Sequence, residues 1–203
     1  MRKSKYLVLS DFYFLFNDDL TEIKYIKSLF ENQNILDLSR FDKLKNIRND
    51  EFKNGYLNFI YLPKNIETIG EYAFSENQIK ISYLSNCINL KIIKDNAFKN
   101  NKIKELKLPK NIEIIKGWAF EKNKIEILDL SNYTKLKEIK ELSFLDNPLK
   151  RIKILNNIEI EYEYYYENDL WNKFAKYYNK SEKKSGNYKY EDNKWQWYPL
   201  KKK

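Results

Sequence analysis

Three kinds of side chain in this sequence have the types and spacing to do chemistry. Glu159, Glu161 and Glu163 alternate along one stretch, and paired carboxylates are the machinery of glycoside hydrolysis. No second motif stands by to hold a sugar, so these three read as a solvated face. Cys87 is the only cysteine, which leaves no internal disulfide, and it reads as a small, partly buried filler. The chain has no histidine, which removes the commonest general base and the commonest metal ligand. Zinc sites built on Cys and His are excluded. With only 4 Gly there is no Gly-rich phosphate loop either. No catalytic, cofactor-binding or metal-binding residue is assigned, and a non-enzymatic protein is expected.

The third kind is chemistry of recognition. Paired positions recur along the chain: Phe59 and Tyr61, Ile81 and Tyr83, Glu105 and Lys107, Ile127 and Asp129, Arg151 and Lys153. The first two pairs are apolar and aromatic, and the later ones are mostly charged. Exposed aromatic clusters mark interaction sites, and Tyr is a frequent energetic anchor in interfaces. The residues expected to meet a protein partner are therefore Phe59, Tyr61, Ile81, Tyr83, Lys107, Asp129, Arg151 and Lys153. The competing reading is ordinary cross-strand packing, or cover by the segment 6–16. A second aromatic store, Tyr162, Tyr164, Tyr165, Tyr166, Trp171, Trp195 and Trp197, reads as the core of a small cap. Stacking on sugars or bases is its sharper alternative.

These positions are set by a repeat. Phe52, Phe74, Phe98, Phe120 and Phe144 stand at spacings of 22, 24, 22 and 24 in the same hydrophobic frame. A fixed period of this size predicts a solenoid, a stack of short units with a long ladder-like face. With each Phe as position zero, apolar residues return at position five (Leu57, Ile79, Ile103, Ile125, Leu149) and position ten (Leu62, Leu84, Leu108, Leu130, Ile154). Position eight holds Ile60, Ser82, Leu106, Leu128 and Ile152. Positions eight and ten point to one side of a strand, so seven and nine must face the other way.

The units are of two kinds. Short ones read Leu-Pro-Lys-Asn-Ile after the strand, at 62–66 and 108–112, and long ones read Leu-Ser-Asn, at 84–86 and 130–132. Position three is Asn77, Asn101, Asn123 and Asn147, but Gly55 in the first full unit. Asn and Gly share tolerance of left-handed backbone, so this position is expected to turn the chain. A stacked Asn hydrogen-bond ladder is the alternative.

The ends read as caps around the repeats at 34–166. Residues 1–33 contain a helical stripe at Ile23, Ile26, Leu29 and Phe30, with Asp19 as N-cap. Residues 167–203 contain a second stripe at Leu170, Trp171, Phe174, Tyr177 and Tyr178, then a β-hairpin around Asp192-Asn193 and a basic tail. The basic start Met1-Arg2-Lys3-Ser4-Lys5 is followed by an apolar run that Asp11 interrupts, so it reads as folded chain and not as a leader. On sequence alone the compartment is then cytoplasmic. No run approaches the length of a membrane helix. The net charge of +9 is concentrated at the two ends, and it is almost all Lys, with Arg only at Arg2, Arg40, Arg48 and Arg151. A nucleic-acid or anionic-surface binder working through the Lys-rich C-terminal tail is the second functional reading, and nucleic acid is the less expected partner. A monomer is favoured.

The frame Leu-Pro-x-x-Ile-x-x-Ile-Gly-x-x-Ala-Phe-x-x-Asn resembles the BspA-like leucine-rich repeat. It is carried by Leu62, Pro63, Ile66, Ile69, Gly70, Ala73, Phe74 and Asn77, and nearly so from Leu108 to Asn123. The resemblance covers about residues 34–166. It implies a curved solenoid with a parallel β-sheet on one face; with the caps read above, the expected fold is an α/β repeat solenoid, a right-handed superhelix with a helical N-terminal cap and a helix-plus-hairpin C-terminal cap. It also implies binding rather than catalysis, often adhesion to host or cell-surface proteins, and hence a surface or secreted location. The family motif defines the scaffold, so no binding residue follows from it.

Overall fold

A computed structural model describes residues 35–200. The expected N-terminal helix, with Asp19 as its cap, lies outside the described residues. Within them each repeat unit makes a triangular turn. One side is a strand of three or four residues: β1 (Ile35–Asp37), β3 (Phe59–Tyr61), β5 (Ile81–Tyr83), β7 (Glu105–Lys107), β9 (Ile127–Asp129) and β11 (Arg151–Ile154). A second side is a two-residue strand: β2 (Asn46–Ile47), β4 (Thr68–Ile69), β6 (Ile92–Ile93), β8 (Ile114–Ile115), β10 (Glu138–Ile139) and β12 (Glu159–Ile160). These six form one continuous parallel sheet in the order β12-β10-β8-β6-β4-β2. The third side is a tight turn centred on each Phe.

The α/β expectation is corrected for the repeats, which are all-β: among the described residues the one α-helix is α1 (Leu170–Lys180), beyond the last unit. The reason lies in the turn side. Residues two before and two after each Phe have positive φ, as in Tyr72 (55), Glu76 (58), Trp118 (53) and Lys122 (53). Left-handed residues at that interval break any helical run. They also aim amide N–H groups along the stack. Tyr72 N donates to Asp95 O at 3.1 Å, Phe74 N to Ala97 O at 2.9 Å and Glu76 N to Lys99 O at 2.9 Å, and the pattern recurs in the next unit from Asn96, Phe98 and Asn100 and in the one after from Trp118, Phe120 and Lys122. Backbone strain at −2 and +2 is thus offset by hydrogen bonds that continue the ladder on the third side.

The turning residue is therefore not the Asn at position three. That Asn makes a ladder, but to backbone and not to other Asn side chains. Asn123 Oδ1 accepts from Ile103 N at 3.0 Å, while Nδ2 donates to Phe98 O and Phe120 O, each at 3.0 Å. Asn77, Asn101 and Asn147 repeat the same bonds in their own units. Gly55 ends the series at the first full unit, having no side chain to offer.

The core fills the triangle. The rings of Phe52, Phe74, Phe98, Phe120 and Phe144 stack with centroids 5.2 to 5.5 Å apart and nearly parallel planes. Trp171 of α1 closes the column, its ring centroid 4.8 Å from that of Phe144. Asp169 caps the helix through Asn172 N at 3.0 Å. Behind it, β13 (Gly186–Glu191) and β14 (Lys194–Tyr198) form a hairpin whose turn residues Asp192 (φ 50) and Asn193 (φ 59) are both left-handed. Phe174, Tyr178, Tyr188 and Trp195 pack there as a buried aromatic cluster. The expected cap core is only partly this: Tyr164, Tyr165, Tyr166 and Trp197 are exposed, the three tyrosines standing on a one-turn 3-10 segment that buries none of its residues.

Candidate protein-binding face

The side of the longer strands β1, β3, β5, β7, β9 and β11 that faces away from the core forms a platform made of three successive ladders. Along each strand the middle residue is inward and its neighbours outward, as in Phe59 (half-buried), Ile60 (buried) and Tyr61 (exposed). Parallel register stacks Ile35 on Phe59 and Asp37 on Tyr61, Ile81 on Glu105 and Tyr83 on Lys107, and Ile127 on Arg151 and Asp129 on Lys153. All eight expected contact residues lie on this face: Phe59 and Tyr61 on β3, Ile81 and Tyr83 on β5, Lys107 on β7, Asp129 on β9, Arg151 and Lys153 on β11.

The 22/24 alternation shows in the backbone. The repeat strands pair as β1-β3, β5-β7 and β9-β11, with the ladder interrupted between β3 and β5 and between β7 and β9. Leaving a long unit, the chain carries the ladder one rung further: Leu38 N, Leu84 N and Leu130 N donate to Tyr61 O, Lys107 O and Lys153 O at 2.7 to 2.9 Å. Leaving a short unit, the chain turns at once at Pro63 or Pro109, whose ring fixes φ and whose nitrogen has no hydrogen. At the second break Leu108 N donates to the Tyr133 hydroxyl at 3.1 Å instead. Cys87 stands at the equivalent place in the preceding long unit and has no hydroxyl to offer Leu62. A shallow cleft of about 550 Å³ opens at this second break, walled by Glu105, Lys107, Ile127, Asp129 and Tyr133.

Electrostatics divide the platform. At the β3–β5 end Tyr61 is 42% and Tyr83 38% exposed beside Phe59 and Ile81, with no charged side chain on either strand. Lys107 marks the border, its Nζ 5.3 Å from the Tyr83 ring and 3.1 Å from Glu105. The hydrogen bond and charge of Glu105 raise its pKa. At Asp129 burial pushes the carboxyl up, but hydrogen bonds from Ser131 and Lys153 outweigh it and hold the group below its usual range. The Asp129–Lys153 pair is 3.1 Å long. Burial pushes the Cys87 thiol up to about 12, leaving it protonated at neutral pH.

Sequence reasoning missed the far end of the platform. The hairpin joins the repeat sheet: β13 runs antiparallel to β11, with Arg151 opposite Lys189 and Lys153 opposite Asn187, and β14 adds Gln196 and Tyr198. Alternation around buried Tyr188 signals that Lys189 points outward, but nothing local signals which strand the hairpin joins. The Lys-rich tail is partly neutralised where it is described, since Lys183 pairs with Glu159, Lys184 with Glu182 and Lys189 with Glu191.

The BspA type leucine rich repeat region matches this chain in six copies, over residues 24–131 and 79–190. The chain belongs to the BspA-type leucine-rich-repeat family. Among curated proteins none matches. A solved leucine-rich repeat protein from Bacteroides ovatus is similar, at 17% identity over 71% of this chain and 55% of that one, with a TM-score of 0.30. The match thus spans little more than half of that protein. A leucine-rich-repeat scaffold of this kind suggests a protein-interaction module. No helix among the described residues is long and apolar enough to cross a membrane.

Proposed function

We propose that this BspA-type protein is a non-enzymatic binding module that holds a protein partner on the outward face of its longer strands. The observation that carries the reading is the cluster of Phe59, Tyr61, Ile81 and Tyr83, four large side chains on two neighbouring strands with both tyrosines more than a third exposed. Tyr gives broad contact area at low rotamer cost, and a backbone fixed on three sides lowers the ordering cost of binding. Lys107, Asp129, Arg151 and Lys153 form the polar continuation of the same surface. The BspA-type repeat extends the reading to adhesion, with a host or cell-surface protein as partner and the chain acting as a monomer.

Protease shaving of intact source cells tests the adhesive reading. Loss of the chain supports it, and protection equal to that of a cytoplasmic control directs the search to an internal partner captured by affinity. With that partner in hand, Tyr61→Ser together with Tyr83→Ser is expected to weaken binding at least tenfold while circular dichroism stays unchanged. Unaltered affinity in the folded variant would refute the assignment of the patch.

A further inference from the structure

The end of the platform built by β11, β13 and β14 is cationic in a way the fold alone does not explain. Arg151 and Lys189 stand directly opposite each other in antiparallel register, on the same outward face. Like charges in that relation destabilise a sheet. Lys153, two residues from Arg151, has its charge engaged by Asp129 at 3.1 Å. Lys189 lies 4.7 Å from the Tyr198 ring and 3.9 Å from Glu191. The exposed Arg151 guanidinium has no ion-pair partner or side-chain hydrogen bond among the described residues. Its flanking neighbour on β9 is Ile127, which is 54% exposed and offers no acceptor.

We infer that Arg151 and Lys189 form a carboxylate-binding subsite, and that the protein partner lays an acidic side chain there. The inference rests on the reading of this face as the working surface and names what the partner must carry. A guanidinium presents a planar fork that suits a carboxylate, and Asn187 and Gln196 beside it supply neutral polar groups. The same face also carries Glu105, Asp129 and Glu191. Those carboxylates oppose a continuous phosphate backbone but leave room for a single acidic residue, which favours an acidic protein segment over a nucleic acid. With strands about 4.8 Å apart, the subsite lies roughly 15–20 Å from the Tyr61–Tyr83 patch. An extended segment covers that distance in about five or six residues. The partner therefore carries apolar or aromatic anchors followed, at that separation, by Asp or Glu.

The test uses the full chain and a fluorescein-labelled hexaglutamate peptide, read by anisotropy at low ionic strength, with a hexaglutamine peptide as control. Hexaglutamate is expected to bind and hexaglutamine not. Arg151→Gln together with Lys189→Gln is expected to weaken hexaglutamate at least tenfold with the fold intact by circular dichroism. Tyr61→Ser with Tyr83→Ser is expected to leave hexaglutamate binding unchanged, so the subsite stands or falls apart from the aromatic patch. No binding by the unaltered chain overturns the inference. So does equal affinity in the Arg151/Lys189 variant, or loss only when Lys201, Lys202 and Lys203 become Gln. Tighter binding of an oligothymidylate through the same two residues overturns it in favour of nucleic acid.

Discussion

At the residue scale, two buried side chains tie conformation to measurable stability. Asn123 satisfies one amide and two main-chain carbonyls of two neighbouring units within 3.0 Å. Each buried polar group left without a partner costs about 1–3 kcal/mol, so Asn123→Ala is expected to lose at least about 2 kcal/mol. A denaturant midpoint that barely moves would show that water replaces the side chain. Cys87 makes a second case. Its thiol sits at about 12 in the fold because burial disfavours the thiolate, while an unfolded thiol titrates near its ordinary value of about 8.5. A raised folded value means that the contribution is whole below the unfolded pKa and is lost as pH rises toward the folded one. Between about pH 9 and pH 11 stability should fall by up to about 1.4 kcal/mol per pH unit from this group. Cys87→Ala should flatten that slope, and a thiol reagent at pH 8 should label only unfolded chain. Rapid labelling of the native protein would contradict the buried placement.

At the element scale, the two kinds of unit differ in how the chain leaves the strand, and one tyrosine repairs one of the resulting breaks. The Tyr133 hydroxyl accepts from Leu108 N where the β7–β9 ladder is interrupted. Burial raises the Tyr133 pKa, so the hydroxyl stays protonated at neutral pH. Tyr133→Phe keeps the ring and removes the acceptor. A loss of about 0.5–1.5 kcal/mol is expected, with faster hydrogen exchange at the Leu108 amide specifically. Exchange that speeds up evenly over all strands would mean a packing defect and not a lost rung. The sequence shows the alternation plainly, in Leu-Pro at 62–63 and 108–109 against Leu-Ser at 84–85 and 130–131. It does not show that a residue 25 positions later closes the gap, because that contact depends on how units stack.

At the scale of the whole molecule, the array needs its last element. Each unit contacts mainly its neighbours, so an uncovered end exposes a full cross-section of core. Trp171 covers Phe144, and Tyr178 bridges Leu155 O at 2.8 Å and Ile158 N at 3.3 Å, binding α1 to the final turns. A chain ending at Asn168 is expected to melt at lower temperature and to elute as aggregates in size-exclusion chromatography. A well-behaved monomer of that length would show that the repeats suffice alone. The hairpin does more than cover: it adds two strands to the outward platform, with cations that no repeat position predicts.

Periodicity alone determined the stacked repeat, the buried Phe column and which strand residues face outward, because each of these depends on spacing along one chain. The helical stripe at Leu170–Tyr178 and the Asp192-Asn193 turn were legible for the same local reason. Tertiary structure decided the rest. Only stacking shows that the left-handed residues flank each Phe while position three bonds backwards across units. Only three-dimensional pairing places Lys189 against Arg151, since antiparallel register joins residues 38 apart that no local pattern relates. Exposure of Tyr164–Tyr166 likewise depends on what lies above them, and a sequence records which residues are apolar but not which of them run out of neighbours.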